Sequence, residues 1–169
     1  MNENIHQQLE ALTVPIDELR HMDGNPRLGN IAAVRRSYET FGQRKPIVAR
    51  ADTHEVIAGN HQLAAARQLG WDRIAVIFCD DDDLTAIAFS LADNKTGDLG
   101  TYNQELLTEI IAELTVDETL LAATAYSERE IAGMLGETVG LGMDESEAEI
   151  DIPKISMCPQ CGYEYVPGA

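Results

Sequence analysis

The chain has 169 residues, 44% of them hydrophobic, three cysteines and a formal net charge of −17. That length allows one domain of ordinary size with a core of its own and some chain to spare. It contains no stretch of 18 apolar residues, which excludes a membrane-spanning helix. The acidity opposes tight binding to nucleic acid, since nonspecific affinity for a phosphate backbone comes from cations.

The charge is unevenly spread. Residues 14–79 carry nine Lys/Arg against seven Asp/Glu, whereas residues 80–136 carry only Lys95 and Arg129 against thirteen acidic groups. Residues 20–73 are therefore the better candidate for a nucleic-acid surface, and the acidic half reads as a solvated face that favours solubility. The opening "MNENIHQQLEALTV" has no basic region followed by an apolar one, so no secretion signal is read there. A reducing cytosol is the expected compartment, with the cysteines as free thiols or metal ligands.

In chain order, residues 1–12 read as a short helical leader. "TVPIDELR" predicts a strand at 14–16 and then a turn or short helix opened by Asp17, and "HMDGNPRLG" predicts a loop. A helix is predicted over 30–41: Asn30 caps it, Ile31, Val34, Tyr38 and Phe41 form one stripe, and Gly42 ends it. Strands follow at 46–50 and 56–58, then an abrupt stop at Gly59, a capping Asn60 and a helix over 61–69 closed by Gly70. Such a strand-to-helix turn leaves N–H groups unpaired and points the positive end of a helix dipole at whatever sits above it, which suits a phosphate. His61 stands in that first turn.

A buried strand is expected at 74–79, ending in Cys79. The run Asp80–Asp83 then opens a helix "LTAIAFSLADN", a place where carboxylates favour the dipole; a metal site is the alternative. Further helices are "YNQELLTEIIAELT", "ETLLAATA" and "SEREIAGMLG", the last with a capping box from Ser127 to Glu130. Residues 137–157 read as a flexible acidic linker, and 158–169 as a tail containing "CPQCG". Cys158 and Cys161 have the spacing of half a tetrahedral zinc site. A second chain or another protein would supply the other half; free thiols on a frayed end are the alternative.

The segments "VPIDEL", "NPR", "PIV", "VIAGNHQLAAARQLGW", "IAVIF" and "SLADNKTGDLG" stand in the order found in the ParB/sulfiredoxin superfamily. The chain most resembles the ParB-like domains of phage proteins and of DNA methyltransferase modules, over about residues 13–136. The resemblance implies a small α/β fold, a mixed sheet with helices over 13–100, followed by a helical extension over 101–136. It also implies a nucleotide site at the strand-to-helix turn. In partition proteins that turn reads Gly-Glu-Arg-Arg and binds the triphosphate of CTP. In sulfiredoxins it reads Gly-Cys-His-Arg, the cysteine being the nucleophile and ATP the phosphoryl donor. Here it is Gly59-Asn60-His61-Gln62. Asn60 takes the place of the cysteine, and an amide is no nucleophile, which excludes sulfinic acid reduction. Gln62 replaces an arginine and so removes a bidentate phosphate clamp.

Carried over residue by residue, the resemblance makes Gly59, Asn60, His61, Gln62, Arg27, Asn94 and Lys95 phosphate-binding positions. His61 and Asp93 are the candidate catalytic groups. Asp93 and Asn94 match the Glu-Asn pair that holds Mg²⁺ in partition proteins, and Mg²⁺ accepts one carboxylate and one carbonyl beside phosphates and water. His61 capping its own loop, Arg27 fixing a surface loop and Asp93-Asn94 ending a helix are the plain structural alternatives.

The functional expectation is a nucleotide-binding domain (CTP, or ATP/ADP, with Mg²⁺) acting in DNA metabolism or modification. It would work in the cytoplasm, the host's if phage-encoded. The family is often labelled nuclease, but no convincing cluster of metal carboxylates is seen here. A small-molecule phosphotransferase resembling the free serine kinases is the first alternative, with Glu18 as base. A non-catalytic adaptor recruiting a DNA-modifying partner is the second. A homodimer joined through shared zinc at the tail is the expected assembly.

Overall fold

The computed structural model describes residues 4–136, together with the backbone of two short strands at 156–157 and 164–165. The chain divides into two compact units, Met1–Thr138 and Val139–Ala169. In the second, Ser156–Met157 pairs antiparallel with Glu164–Tyr165, Ser156 opposite Tyr165. Cys158, Cys161 and the acidic linker 137–155 lie outside the described residues.

The first unit is a mixed α/β domain. Its strands are β1 (Thr13–Pro15), β2 (Arg20–His21), β3 (Ile47–Arg50), β4 (Glu55–Ala58) and β5 (Arg73–Cys79), arranged in the sheet as β1-β5-β3-β4-β2. β3 lies parallel to β5 and antiparallel to β4; β1 is antiparallel to β5, and β2 parallel to β4. The first strand therefore runs 13–15 rather than 14–16, because Ile16 leaves the sheet to begin a 3-10 turn over Ile16–Glu18. β2 occupies part of what the sequence presents as loop. Two residues carry no alternation to read, and its pairing with Glu55 and Val56 is a tertiary fact.

Helix α1 (Ile31–Phe41) begins at Asn30, whose side chain accepts from Ala33 N–H, and ends at Gly42 with φ 62°. It packs on α2 (Asn60–Gln68). Tyr38 of α1 stacks on Trp71 with ring centroids 4.8 Å apart, and Leu63, Ala65 and Ala66 of α2 are fully buried on the sheet. The segment read as a leader belongs to this core: Ile5 is buried, and Asn4 and His6 bond through their backbones to Gln43. Gln43 itself is fully buried and its amide makes both possible bonds to the backbone of Ala75, at 2.9 and 2.7 Å, as a neighbouring strand would.

Helix α3 (Asp83–Asp98) is longer than the sequence suggests and runs on through Asp93, Asn94 and Gly97, so Asp93-Asn94 does not end it. Asp82 caps its start, accepting from Thr85 N–H at 2.8 Å, and that bond holds the Asp82 carboxyl below the usual carboxylate range. Asp83 pairs with Arg50 at the end of β3, an interaction that raises the pKa of the guanidinium. The acidic run thus works as cap and anchor. α4 (Gln104–Leu114), α5 (Glu118–Ala123) and α6 (Glu128–Leu135) complete the unit, with α5 against α1. The Ser127–Glu130 capping box forms in both directions.

Candidate functional site

At Gly59 the strand β4 turns directly into α2. Gly59 caps the helix with φ 99° and ψ 22°, and the first helical bond is Leu63 N–H to the Gly59 carbonyl at 2.9 Å. Asn60 is thus the first helical residue and not the cap. The N–H groups of Asn60, His61 and Gln62 have no acceptor within the helix, so the turn presents the free donors that the sequence leads one to expect there.

Above this turn lies a cleft of about 330 Å³ whose polar lining comes from four parts of the chain. Gly59, Asn60, His61 and Gln62 form its floor; Asn25 and Arg27 come from the loop between β2 and α1; Ser90, Asp93 and Asn94 come from α3; Lys45 precedes β3. The structure therefore brings Arg27, the 59–62 turn, Asp93 and Asn94 together around one space. Lys95 does not line it, because it lies one position further around α3 than Asn94. The second cation of the cleft is instead Lys45, which nothing in the sequence marks. A lysine before Pro46 carries no local signal; only the placement of β3 beside the turn brings it near.

The side chains differ in what they leave free. Asn60 is 8% exposed and points inward: its Nδ2 donates to the Val56 carbonyl at 2.8 Å and its Oδ1 accepts from Met22 N–H at 3.0 Å. Its amide is therefore committed to the fold, and only its backbone N–H remains for a ligand. His61 Nε2 accepts from Gly29 N–H at 2.9 Å, so the imidazole does cap a loop while its ring lines the cleft. Gly29 has to be glycine for this packing, since a Cβ there would fall 2.6 Å from the ring. Asn94 Nδ2 donates to the Ser90 carbonyl at 2.8 Å, which leaves its oxygen free as an acceptor. Asp93 is exposed.

Glu18 does not reach this space. It stands 4.0 Å from His54 in the turn before β2 and does not line the cleft, so it is not the base of a reaction there. Beside the cleft, and sharing Lys45 and Gln62 with it, lies a more apolar recess of about 340 Å³ lined also by Ser37, Tyr38, Phe41 and Arg44. The Tyr38 hydroxyl is buried without a hydrogen-bond partner, and burial pushes its pKa up.

Among the described residues, no helix is long and apolar enough to cross a membrane.

Comparison with known proteins agrees with this architecture. The chain is 26% identical over 136 residues to the nucleoid occlusion protein of Oceanobacillus iheyensis, covering 76% of this chain and 45% of that protein. It is 28% identical over 144 residues to the nucleoid occlusion protein of Bacillus cytotoxicus, covering 81% and 46%. The chain thus spans about half the length of these curated relatives. Its fold matches that of the C-terminally truncated chromosome-partitioning protein ParB from Caulobacter crescentus, solved with CTP-γ-S. That match has a TM-score of 0.51 at 21% identity and covers 75% of this chain and 71% of the other. The family model of the ParB N-terminal domain matches residues 2–95, more than half of the chain, and on that match, with the mixed sheet and the Gly59 turn in place, the chain belongs to the ParB N-terminal domain family.

Proposed function

We infer that the protein binds a nucleoside triphosphate, with the phosphates over the Gly59–Gln62 turn, and that it acts as a nucleotide-dependent module in DNA metabolism or modification. The observation that carries this reading is convergence. Segments around residues 27, 45, 60 and 93 meet at one helix N-terminus with two cations, an imidazole and a carboxylate. The adjoining recess offers Tyr38 and Phe41 with polar groups at its rim, a surface suited to a base and its sugar. CTP is the first ligand to try, because the Caulobacter relative of the same fold was solved with a CTP analogue.

Mg²⁺ fits the donors present. Asp93 supplies a carboxylate and Asn94 a free amide oxygen on the wall facing the phosphate turn, and the ion completes its shell with phosphate oxygens and water. Bound there, it would neutralise phosphate charge. Arg27 and Lys45 add fixed positive charge, and the turn adds N–H donors.

Calorimetric titration with CTP, ATP and ADP, with and without Mg²⁺, tests the reading; no binding of any of them sinks it. His61→Ala is expected to weaken binding by about 1–3 kcal/mol, the scale of a lost buried or charge-assisted hydrogen bond. Unchanged affinity returns the imidazole to loop capping alone. Gln62→Arg supplies a planar cation at the same rim and is expected to tighten triphosphate binding by about 1.5–3 kcal/mol while changing monophosphate binding less. A gain equal for both ligands would place the new charge away from the outer phosphates. Release of inorganic phosphate from the bound triphosphate would distinguish an enzyme from a binding module.

A further inference from the structure

Arg27 is the arginine of the cleft, and its geometry is set by a carboxylate from far along the chain. Its Nη1 donates to both oxygens of Asp98, at 3.0 and 2.9 Å, across 71 positions of sequence. Asp98 is the last residue of α3, one turn beyond Asn94, and does not itself line the cleft. A guanidinium carries five N–H donors in a planar fork. Asp98 engages the nitrogen Nη1 alone, and among the described residues Nε and Nη2 of Arg27 have no protein partner.

We propose that Asp98 is a positioning residue for the phosphate site: it holds Arg27 by one nitrogen so that the remaining edge of the guanidinium stays available to the ligand. This rests on the phosphate reading of the cleft. Two features support it. An arginine on an open loop loses considerable rotamer freedom when it grips a ligand, and a partner that orders it beforehand lowers that cost. The pair also ties two walls of the cleft together, since Arg27 belongs to the β2–α1 loop and Asp98 to the helix bearing Asp93 and Asn94. As a contribution to folding the pair is weak: the two side chains are 41% and 53% exposed, and ion pairs so solvated add little to stability. Its effect belongs to binding.

A double-mutant cycle tests the proposal on the full chain with CTP and Mg²⁺ as the probe, repeated with ATP. The proteins are wild type, Asp98→Asn, Arg27→Ala and the double variant, with the thermal midpoint of each recorded without ligand. Asp98→Asn is expected to weaken binding about three- to tenfold when Arg27 is present, within the range for directly coupled groups. It is expected to change binding less than twofold when Arg27 is absent, with midpoints unaltered. Tighter binding in both backgrounds would mean that Asp98 only repels the phosphates. Tighter binding confined to the Arg27 background would mean that it competes with them. Either result overturns positioning while leaving the phosphate site standing. Failure of all four proteins to bind either nucleotide removes the phosphate site and the role of Asp98 with it.

Discussion

Gly59→Ala is expected to destabilise the domain by about 2–5 kcal/mol, combining a left-handed backbone with an overfilled core. The φ of 99° is one that a side chain disfavours, and a Cβ would lie 2.5 Å from Ile47 Cγ2 and 2.7 Å from Gln62 Oε1. Gln62 can swing away; Ile47, 1% exposed in the middle of the sheet, cannot. Gly70 provides the control. Its φ is 70° but nothing lies within 4 Å of its missing Cβ, so Gly70→Ala should show only the backbone part, about 1–2 kcal/mol. Urea midpoints at constant slope measure both. Equal losses at the two sites would show that the contact with Ile47 is easily relieved.

Asn60→Leu is expected to cost about 1–3 kcal/mol, the consequence of removing two hydrogen bonds made by a buried amide. Leucine keeps the branching of the side chain, yet the bond to the Val56 carbonyl and the bond from Met22 N–H are both lost. Asn60→Asp separates the two bonds, since it keeps the acceptor for Met22 N–H and loses the donor. The damage should be local to the seam between β2 and the turn, so the Met22 amide should exchange hydrogen faster in the leucine variant. A leucine variant as stable as wild type, with that amide still protected, would show that the amide of Asn60 is dispensable.

Much of the fold around the candidate cleft is legible in the sequence, and the reasons are local. Gly59 after three apolar residues and before a helical stretch announces a turn that only glycine makes easily, and Asn30, Gly42 and the Ser127–Glu130 box announce their helix ends through their own side chains. What was hidden depends on distance. Asn60 looks like a cap because asparagine often is one, but the His21–Met22 strand end passes beneath it and turns its amide inward. Lys45 enters the cleft only because β3 lies next to β4. Glu18 is a carboxylate in a promising motif, yet its turn leads away from the cleft and towards His54. The extra turn of α3 past Asn94 carries Asp98 to Arg27, and a glycine at 97 gives no hint of that extension.

The sheet is unevenly covered at β5. Its pairing with β1 stops at Ala75, so Val76–Cys79 have a strand neighbour on the β3 side only. Ile77 and Phe78 in that stretch are 48% and 36% exposed. On that side the 3-10 segment Gln7–Leu12 packs against β5 without joining the sheet, and an unpaired edge beside exposed apolar residues invites the same strand of another molecule. Four aspartates follow it without a break, Asp80 to Asp83. Two molecules approaching edge to edge in parallel register would bring these carboxylates together, and their repulsion would oppose annealing of the strands. The run that caps α3 and anchors it to Arg50 thus also sets like charge at the end of an apolar strand, where it is expected to hold neighbouring molecules apart.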